Sequence, residues 1–528
     1  MNLHPTGKAA GTLLLCVLPY LASGQNVPVQ RNPIVTHSTP VTTTQALRDM
    51  KEVPWHNVSK VMPEHKRNGA AHIGSGVDAV LQTEKLPDVA TTNLLSFDGI
   101  TDAQGGGFVP PDTNAAVGAT QVVETVNVAY AVYDKATGAQ IMAPKSIQTL
   151  YTPLGGQCAT GNLSDPVATY DKAAGVWVIT MIAFNNSFSQ NNACVAVSTT
   201  SDATGTYHLY SFNYGRTLPD YPKLGVWPDA YYLTTDSFPN GGAFTGAESC
   251  ALDRTNMLLG NPATSVCFQR GSGDFALLPA DLDGSTPPPS GAPNYEMELA
   301  TSTKLNLFQF HVDFAVPTNS TFTGPTQLTV ASYTDACATT GSCIVQPSPG
   351  EKLDALGDRL MYRLAYRNFG TSESLVANHS IKASGTGKAP SAVRWYEVRS
   401  PGSSPVIFQS GTVGGGTSTI SQWMGSIGMD KNGDIALGYS RSGSTLKPSI
   451  AYVGRVPTDA LGKMESAHTI VTGGGVQESS FNRWGDYSSM QIDPVDDCTF
   501  WYTQEYYKTS GSFNWSTHMA SFKFTTCH

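Results

Sequence analysis

The chain has 528 residues and a formal net charge of −9, and only 14% of its residues are charged. A chain of this length is too long for one ordinary hydrophobic core, so the sequence predicts either several domains or a repeat architecture. The negative charge would repel a phosphate backbone, which argues against nucleic acid as a partner. The 51 glycines and 33 prolines indicate many turns, and together with many β-branched and aromatic residues they favour an all-β fold.

The first 24 residues have the pattern of a secretory signal peptide. Lys8 precedes an apolar run at residues 12–21, and the small residues Ala22, Ser23 and Gly24 follow it. The run is too short to span a bilayer, so we expect cleavage near Gly24 and a secreted or periplasmic protein, with an uncleaved anchor as the alternative. No later stretch is long and apolar enough to predict a membrane span.

Eight cysteines follow the predicted cleavage site, and an even number in a secreted chain indicates disulfide bonds. Sequence does not fix their connectivity, but pairing in chain order would place each bridge inside one repeat. The expected bonds are Cys158–Cys194, Cys250–Cys267, Cys337–Cys343 and Cys498–Cys527. A zinc site is the competing interpretation, and the chain has neither a C-x-x-C motif nor a nearby pair of histidines to support it.

Residues 25–107 are polar, rich in proline and threonine, and lack sustained hydrophobic periodicity. They predict a leader that is loosely ordered or wraps the domain, with a pro-segment as the alternative. An apolar stretch at residues 94–100 marks the transition, and we expect the folded domain to span residues 108–528.

A pattern of four strand-like runs recurs along residues 108–528. The first repeats begin at intervals of 53 and 55 residues, which is the size of a propeller blade. Turns of the form Asp-x-x-x-Gly join the first two runs, because Asp bonds the turn backbone and Gly takes its positive φ. We predict a β-propeller of seven four-stranded blades, with six or eight blades as alternatives and an array of β-sandwiches as the competing fold. The repeat starts are Asp112, Asp165, Asp220, a degenerate start near Tyr295, Asp358, Trp423 and Asp486.

Four segments of the chain carry a family resemblance: residues 110–118, 220–234, 353–369 and 483–507. They resemble segments of a large family of secreted bacterial β-propeller proteins that are mostly uncharacterised, and the resemblance covers about residues 110–524. More distantly, the layout is similar to that of sialidase-like and Asp-box propellers. The strict Ser-x-Asp-x-Gly-x-x-Trp pattern is absent, so this second resemblance is architectural and implies no catalytic residue.

The repeat starts would meet at one mouth of a propeller channel, because the first strand of each blade lines it. Crowded carboxylates raise some carboxyl pKa values and leave other groups ionised, a division that glycoside hydrolysis needs. The predicted catalytic residues are therefore Asp112, Asp165, Asp220, Glu298, Asp358 and Asp486. Arginines hold carboxylates and aromatic rings stack on sugars. The predicted substrate-binding residues are Arg359, Arg363, Arg483, Trp423, Trp484 and Tyr487.

A structural interpretation of the same residues competes with this one. An aspartate at a strand start often caps a turn or accepts N–H groups of the next blade. Since a catalytic group is needed once and a structural group in every repeat, the repetition favours the structural role for the aspartates. Arg363 would then form interblade ion pairs, and most of the aromatic residues would form the interblade core.

No cofactor is firmly indicated, and Ca²⁺ is the one ion that the pattern would suit. Residues 281–284 and 430–434 resemble fragments of calcium-binding loops, but neither continues to the required glutamate. A simple turn therefore explains each segment better, although a channel lined with aspartates would suit a hard cation.

Two functions fit this sequence. The first is a secreted propeller, expected to be a monomer, that recognises or cleaves extracellular carbohydrate, with an acidic glycan as the candidate ligand. The enzyme class would then be glycoside hydrolase or polysaccharide lyase. The alternative is a non-catalytic binding or adhesion propeller whose blades are stabilised by Ca²⁺.

Overall fold

The computed structural model describes Met1 and residues 27–67, 69–387 and 389–528. The predicted signal peptide lies, apart from Met1, outside the described residues. Strands dominate the described chain, and its helices are single turns. The α-helices are α1 (Asp102–Gly105), α2 (Gln148–Tyr151), α3 (Gly156–Thr160) and α4 (Arg254–Leu258), and the 3₁₀ turns are Leu47–Asp49, Thr152–Leu154 and Pro317–Asn319. No helix in the described part of the chain is long and apolar enough to cross a membrane.

The leader contributes four strands that pair with later parts of the chain. They are β1 (Val29–Gln30), β2 (Ile34–His37), β3 (Thr42–Thr43) and β4 (Thr91–Thr101).

Successive groups of four strands form the rest of the fold. The first three groups are β5 (Asn114–Val117), β6 (Gln121–Val126), β7 (Ala129–Asp134) and β8 (Gln140–Ser146); β9 (Asn162–Asp171), β10 (Val176–Phe184), β11 (Asn191–Ser198) and β12 (Tyr207–Gly215); and β13 (Thr217–Val226), β14 (Tyr231–Pro239), β15 (Gly246–Leu252) and β16 (Thr264–Gln269). The fourth group is β17 (Leu278–Asp283), β18 (Asn294–Thr301), β19 (Lys304–His311) and β20 (Thr321–Thr329), followed by the hairpin β21 (Ser342–Ile344) and β22 (Leu353–Asp354).

The fifth and sixth groups are β23 (Met361–Asn368), β24 (Glu373–Lys382), β25 (Ser391–Arg399) and β26 (Val406–Val413); and β27 (Ser421–Met429), β28 (Ile435–Gly443), β29 (Leu446–Arg455) and β30 (His468–Val471). The last group has three strands from the end of the chain, β31 (Ser489–Ile492), β32 (Phe500–Tyr507) and β33 (Trp515–Phe524).

The first strands of the seven groups form the inner ring of the fold. In chain order β5, β9, β13, β17, β23, β27 and β31 each contact the next, and β31 contacts β5. This closed order confirms the predicted all-β propeller fold. Because β17 pairs with β18 and, in parallel, with β23, the fourth and fifth groups share a nine-stranded sheet. The number of separate blades therefore stays a prediction.

Strand β4 closes the ring by pairing with β33, so that the last group takes its outer strand from the leader. A domain boundary at residue 108, as expected from the sequence, would therefore separate β4 from the sheet of the last group, to which it belongs. The leader also wraps the propeller, since β1, β2 and β3 add a fifth strand to the fourth, third and second groups. Apolar residues fill the spaces between neighbouring groups, as where Tyr452, Phe500 and Phe522 pack between the sixth and the last.

The predicted Asp-x-x-x-Gly turn at residues 171–175 has the expected geometry and position, whereas the turn at residues 134–138 joins β7 to β8 and not the first two strands of its group. The Asp171 carboxylate accepts the Ala174 N–H at 3.1 Å, and Gly175 takes a φ of 70° between β9 and β10. The four predicted disulfides are also confirmed, with the expected connectivity. Disulfide bonds of this kind are typical of oxidising compartments.

The predicted start of the fourth repeat near Tyr295 differs from the structure. That residue lies in β18, the second strand of the group, whereas the inner strand is Leu278–Asp283. The inner strand ends in Asp281-Leu282-Asp283, which the sequence analysis assigned to a turn or a calcium-loop fragment. Glu298 therefore belongs to a second strand and does not open an inner one.

Arg363 joins three groups of strands in the buried centre of the ring. Its guanidinium is 1% exposed, donates to Asp281 at 2.8 Å and to Asp283 at 2.6 Å, and also reaches the Met490 carbonyl. Asp281 and Asp283, which lie in the segment that resembles a calcium-loop fragment, are therefore paired with Arg363. Arg363 forms ion pairs between neighbouring groups of strands. The prediction that Arg363 binds substrate at the mouth does not match this position.

Substituting Arg363 with methionine should strongly destabilise the protein. The change leaves Asp281 and Asp283 buried without their cation, and breaking a buried pair in this way costs about 3–5 kcal/mol. Chemical unfolding would measure the loss. The control Arg48→Met removes an ion pair in which both side chains are about half exposed, worth about 1 kcal/mol or less. Equal effects of the two substitutions would contradict the assignment.

Candidate functional site

Four of the predicted aspartates come together at one end of the channel. Asp112, Asp165, Asp220 and Asp486, here called the carboxylate ring, line one small space with Arg359 and Arg483. Leader residues 62–65 cover this space and leave a volume of about 10 Å³, which is the room of a single water molecule. The predicted convergence of the repeat starts is therefore present, but the leader fills its centre.

Strained backbone sets the position of the ring. Asp112, Asp165 and Tyr221 have φ values of 49°, 55° and 53°, in the left-handed region that residues with a Cβ seldom adopt. Such conformations persist where the surroundings hold them. Asp112 lies just ahead of β5, whereas Asp165 and Tyr221 lie within β9 and β13. In the third group a β-bulge separates Asp220 from Lys223 and changes which side chains face the channel.

The ring aspartates also hold the blades together. Asp112 accepts the Asp486 N–H at 2.9 Å and the Asn127 side-chain amide at 2.8 Å, so both of its oxygens have donors. Asn127 in turn accepts the Asp165 N–H at 2.8 Å. These contacts link the last, first and second groups, which is the structural role that the repetition favoured.

A larger cavity of about 420 Å³ lies beside the ring, and we call it the mouth cavity. Arg359 and Arg483 line both spaces, whereas Asp354 and Asp358 line only the mouth cavity. The other charged residues of its wall are Glu64, Lys66, Arg67 and Asp335. A cavity of this size is within the usual range for small-molecule sites.

Arg483 is buried at the junction of the two spaces. Its Nη2 forms an ion pair with Asp486, and its Nε lies 3.5 Å from an oxygen of Asp354. Among the described residues, Nε and Nη1 nevertheless have no hydrogen-bond partner. Arg359 donates from Nε to Asp358 at 2.9 Å and lies over the Tyr221 ring, 4.6 Å from its centroid. Arg483 thus borders the mouth cavity with two buried donor nitrogens that have no hydrogen-bond partner among the described residues.

The carboxyl groups of the mouth cavity are held in different protonation states. Burial raises the pKa of Asp354 to about 8, despite the opposing charge of Arg483. Burial acts in the same direction on Asp358, but the adjacent Arg359 guanidinium outweighs it and holds the pKa of that carboxyl below its usual range. Near neutral pH, Asp354 therefore keeps a proton while Asp358 is ionised, which is the division that acid–base chemistry requires.

The carboxylate ring shows the same effect of burial. Burial and the negative charge of Asp220 raise the pKa of Asp165 to about 7. The pKa of Asp112 is also raised, by burial and by Asp486. Lys223, fully buried, lies 3.4 Å from the Tyr221 ring centroid, and burial lowers the pKa of its ammonium to about 8.

Several residues of the site escaped the sequence analysis. Asp354 belongs to the short hairpin before the fifth group, outside any repeat start, and Lys223 follows a bulge that breaks strand alternation. Glu64 and His65 come from the leader, which was expected to be loosely ordered or to wrap the domain, without any predicted contact at the mouth. The positions of Asp354 and Lys223 inside segments with the family resemblance were the only available signal.

Four other predicted residues lie away from the two spaces. Glu298 is buried in β18, where it accepts the Phe275 N–H at 2.7 Å and the Asn306 amide at 2.7 Å. Trp423, Trp484 and Tyr487 are each 0% exposed. Trp423 and Trp484 pack on each other with ring centroids 5.7 Å apart, and Tyr487 faces Tyr221 and Tyr362. The predicted stacking of these rings on a sugar is incompatible with this burial.

Comparison with known proteins gives no family. No model of a known family matches the sequence, and no curated protein matches it. The family resemblance drawn from the sequence therefore stays without a matching family model.

Solved structures with similar architecture have very low identity and include sugar-acting enzymes as well as the WD40 domain of SCAP from fission yeast, which is 8% identical with a TM-score of 0.32. The Penicillium chrysogenum α-L-arabinanase is 10% identical, with 84% of this chain and 99% of that chain covered and a TM-score of 0.35. The α-L-arabinofuranosidase of Fusarium graminearum is 11% identical, with 81% and 97% covered and a TM-score of 0.35. A Hadza microbial sialidase is 9% identical, with 76% and 73% covered and a TM-score of 0.33. Scores this low carry no argument about the function of this chain.

The buried carboxyls should make the stability of the protein fall as pH rises from 5 to 8. In the unfolded chain Asp165 and Asp354 lose their protons near pH 4, whereas in the folded protein they keep them to about pH 7 and 8. The unfolded state therefore binds fewer protons across this range, and the free energy of unfolding decreases. Asp165→Asn and Asp354→Asn should each flatten this decrease, measured by chemical unfolding at several pH values.

The exposed Asp134 supplies a control of opposite sign. Hydrogen bonds from Thr137 lower its pKa, so Asp134→Asn should change the pH dependence only below about pH 4. Slopes between pH 5 and 8 that are the same in the wild type and in both buried-site variants would contradict the pKa assignments.

Proposed function

We propose that this protein is an extracellular propeller that binds an acidic glycan in the mouth cavity. The observation that carries the proposal is Arg483, whose buried guanidinium lines the cavity with two nitrogens that lack hydrogen-bond partners among the described residues. Since Nη2 is paired with Asp486, Nη1 is the nitrogen that would donate a charge-assisted hydrogen bond to a ligand's carboxylate, and burial strengthens such a contact. A uronic acid or another carboxylated sugar supplies this group.

The rest of the cavity suits the polar part of a sugar. The Asp358 side chain is 33% exposed, so that its carboxylate is accessible to accept sugar hydroxyl groups. Arg67 and Lys66 add positive charge to the wall, which favours an anionic ligand over a neutral one. The four disulfides accord with an extracellular setting.

Cleavage of the glycan is the second candidate function, and one observation favours it. Asp354 and Asp358 line the same cavity with pKa values shifted in opposite directions. In a hydrolytic reaction Asp354 would donate a proton to the leaving oxygen, and Asp358 would act as the base or nucleophile. A binding protein has no need of this division, so measured turnover decides between the two candidates.

Binding should depend on Arg483 and on the ligand's carboxylate. We expect trigalacturonate to bind the wild type, and the uncharged methyl ester of the same trisaccharide to bind at least about tenfold more weakly, since a charged hydrogen bond contributes about 1.5–3 kcal/mol. Arg483→Gln should remove this preference, whereas Lys85→Gln, an exposed lysine that lines neither space, should preserve it. Calorimetric titration would measure both.

Arg359→Lys provides a second variant in case Arg483→Gln unfolds, because it keeps the charge but lacks the planar fork. It should weaken trigalacturonate binding while far-ultraviolet circular dichroism stays that of the wild type. Equal binding of the acid and its ester, or full binding by folded Arg483→Gln, would overturn the proposal. Release of reducing ends that disappears in Asp354→Asn and Asp358→Asn would establish cleavage.

A further inference from the structure

Residues 63–67 and 69–71 cross the channel mouth between two firmly attached ends, and we call these residues the strap. Before the strap, Val61 forms a parallel bridge with Val109, and the buried Met62 donates its N–H to the Val109 carbonyl at 2.8 Å. After it, the His72 N–H donates to Asp335 at 2.8 Å, and the Asp335 N–H donates back to the His72 carbonyl at 3.0 Å. The leader is therefore anchored on both sides of the mouth.

The described backbone of the strap, in contrast to its two ends, is not hydrogen-bonded to the propeller. Among the described residues of the strap, no backbone N–H or carbonyl forms a hydrogen bond with the propeller. Glu64, Lys66, Gly69 and Ala70 are exposed. Segments with few hydrogen bonds and exposed side chains open at a low free energy, so the strap can leave the mouth while its ends stay attached.

Two side chains of the strap lie beside opposite charges of the mouth, while Lys66 pairs with Glu64 inside the strap at 2.9 Å. The Glu64 carboxylate lies 4.0 Å from Nη1 of Arg483, and the His65 ring nitrogen lies 3.4 Å from the Asp220 carboxylate. His65 also packs between Phe188 and Phe238. The positive charge of Arg67 contributes to the lowered pKa of Asp358. The strap thus places a carboxylate next to the guanidinium that we assign to the ligand's carboxylate.

We infer that the strap is a displaceable autoinhibitory segment, in which Glu64 occupies the place of the ligand's carboxylate beside Arg483. This inference rests on the proposed function of the mouth cavity. When the strap moves away, the carboxylate ring and the mouth cavity become one continuous site, since Arg359 and Arg483 border both. The carboxylates of a longer acidic glycan then take the place of the Glu64 carboxylate beside Arg483. Displacement of the strap or its proteolytic cleavage would therefore activate the protein.

Cutting the strap tests this inference in the full-length protein. A specific protease sequence is inserted between the exposed residues Gly69 and Ala70, and the protein is compared before and after cleavage. The control carries the same insertion between the exposed Ser403 and Ser404, in the hairpin joining β25 and β26. Cleavage of the strap should tighten trigalacturonate binding about tenfold, because the ligand no longer competes with the strap's ion pairs. Cleavage of the control should leave the affinity unchanged.

A second readout does not depend on any glycan. Labelling with a water-soluble carbodiimide and an amine, mapped by mass spectrometry, reports the exposure of Asp220 and Asp165. We expect labelling of both to rise after the strap is cut, and also in the uncut variant Glu64→Ala/His65→Ala.

The two readouts separate the two ideas. If labelling of Asp165 and Asp220 is unchanged after the cut, the inference that the strap is displaceable is wrong. If labelling increases but the trigalacturonate affinity of a binding protein is unchanged, the inference that the strap is autoinhibitory is wrong. Increased labelling in a protein that binds no acidic glycan supports a displaceable strap and overturns the proposed function.

Discussion

The structure depends on closure of the strand ring. Strand β4, taken from before the first group, pairs along its length with β33 near the end of the chain. Eleven residues after the end of β4, the Asp112 carboxylate accepts the Asp486 N–H and joins the first group to the last at the mouth. These contacts turn a linear series of four-stranded groups into a closed ring. Only in the closed ring do the starts of distant repeats, such as Asp165 and Asp486, line one space.

Closure also sets the electrostatics of the mouth. Removing many carboxyl groups from water raises their pKa values, and nearby arginines reverse the shift only where they are in direct contact, as Arg359 is with Asp358. The fold needs some of these groups, because Asp112 accepts backbone and amide N–H groups from its neighbours. Asp354 likewise accepts the Trp484 N–H at 3.1 Å, but the fold has no comparable need for Arg483 donors without partners or for an ionised Asp358 beside an open cavity. These donors and this carboxylate are not required for folding, and this is the physical reason for assigning a function to the mouth.

The sequence predicted the parts of this arrangement that follow from local chemistry. The Asp-x-x-x-Gly turns follow from the chemistry of one turn, and the propeller fold follows from the recurrence of four strand-like runs. The disulfide pairing matched the expectation that each bridge lies inside one repeat. The convergence of Asp112, Asp165, Asp220 and Asp486 followed from the fold and from the position of these residues at repeat starts. Site roles for these residues stay predictions, since contacts show where a group lies and not what it binds.

Contacts between residues far apart in the chain could not be predicted from the sequence, for identifiable physical reasons. The leader lacks hydrophobic periodicity, so nothing in it indicated that β4 completes the last sheet or that His65 reaches Asp220. Ala276 takes the strained backbone position of the fourth group without an aspartate to mark it, which displaced the predicted start by a whole strand. The burial of Trp423, Trp484 and Tyr487 could not be foreseen either, because an aromatic residue near a strand start suits both a core and a sugar-binding surface.

The most direct test of the central claim is a crystal structure of the protein with trigalacturonate bound after cleavage of the strap. The account predicts that one ligand carboxylate accepts a hydrogen bond from Nη1 of Arg483, in place of Glu64, and that the sugar rings extend along the mouth cavity toward Asp358. A ligand bound elsewhere on the propeller, or one in the cavity whose carboxylates all face solvent, would contradict it.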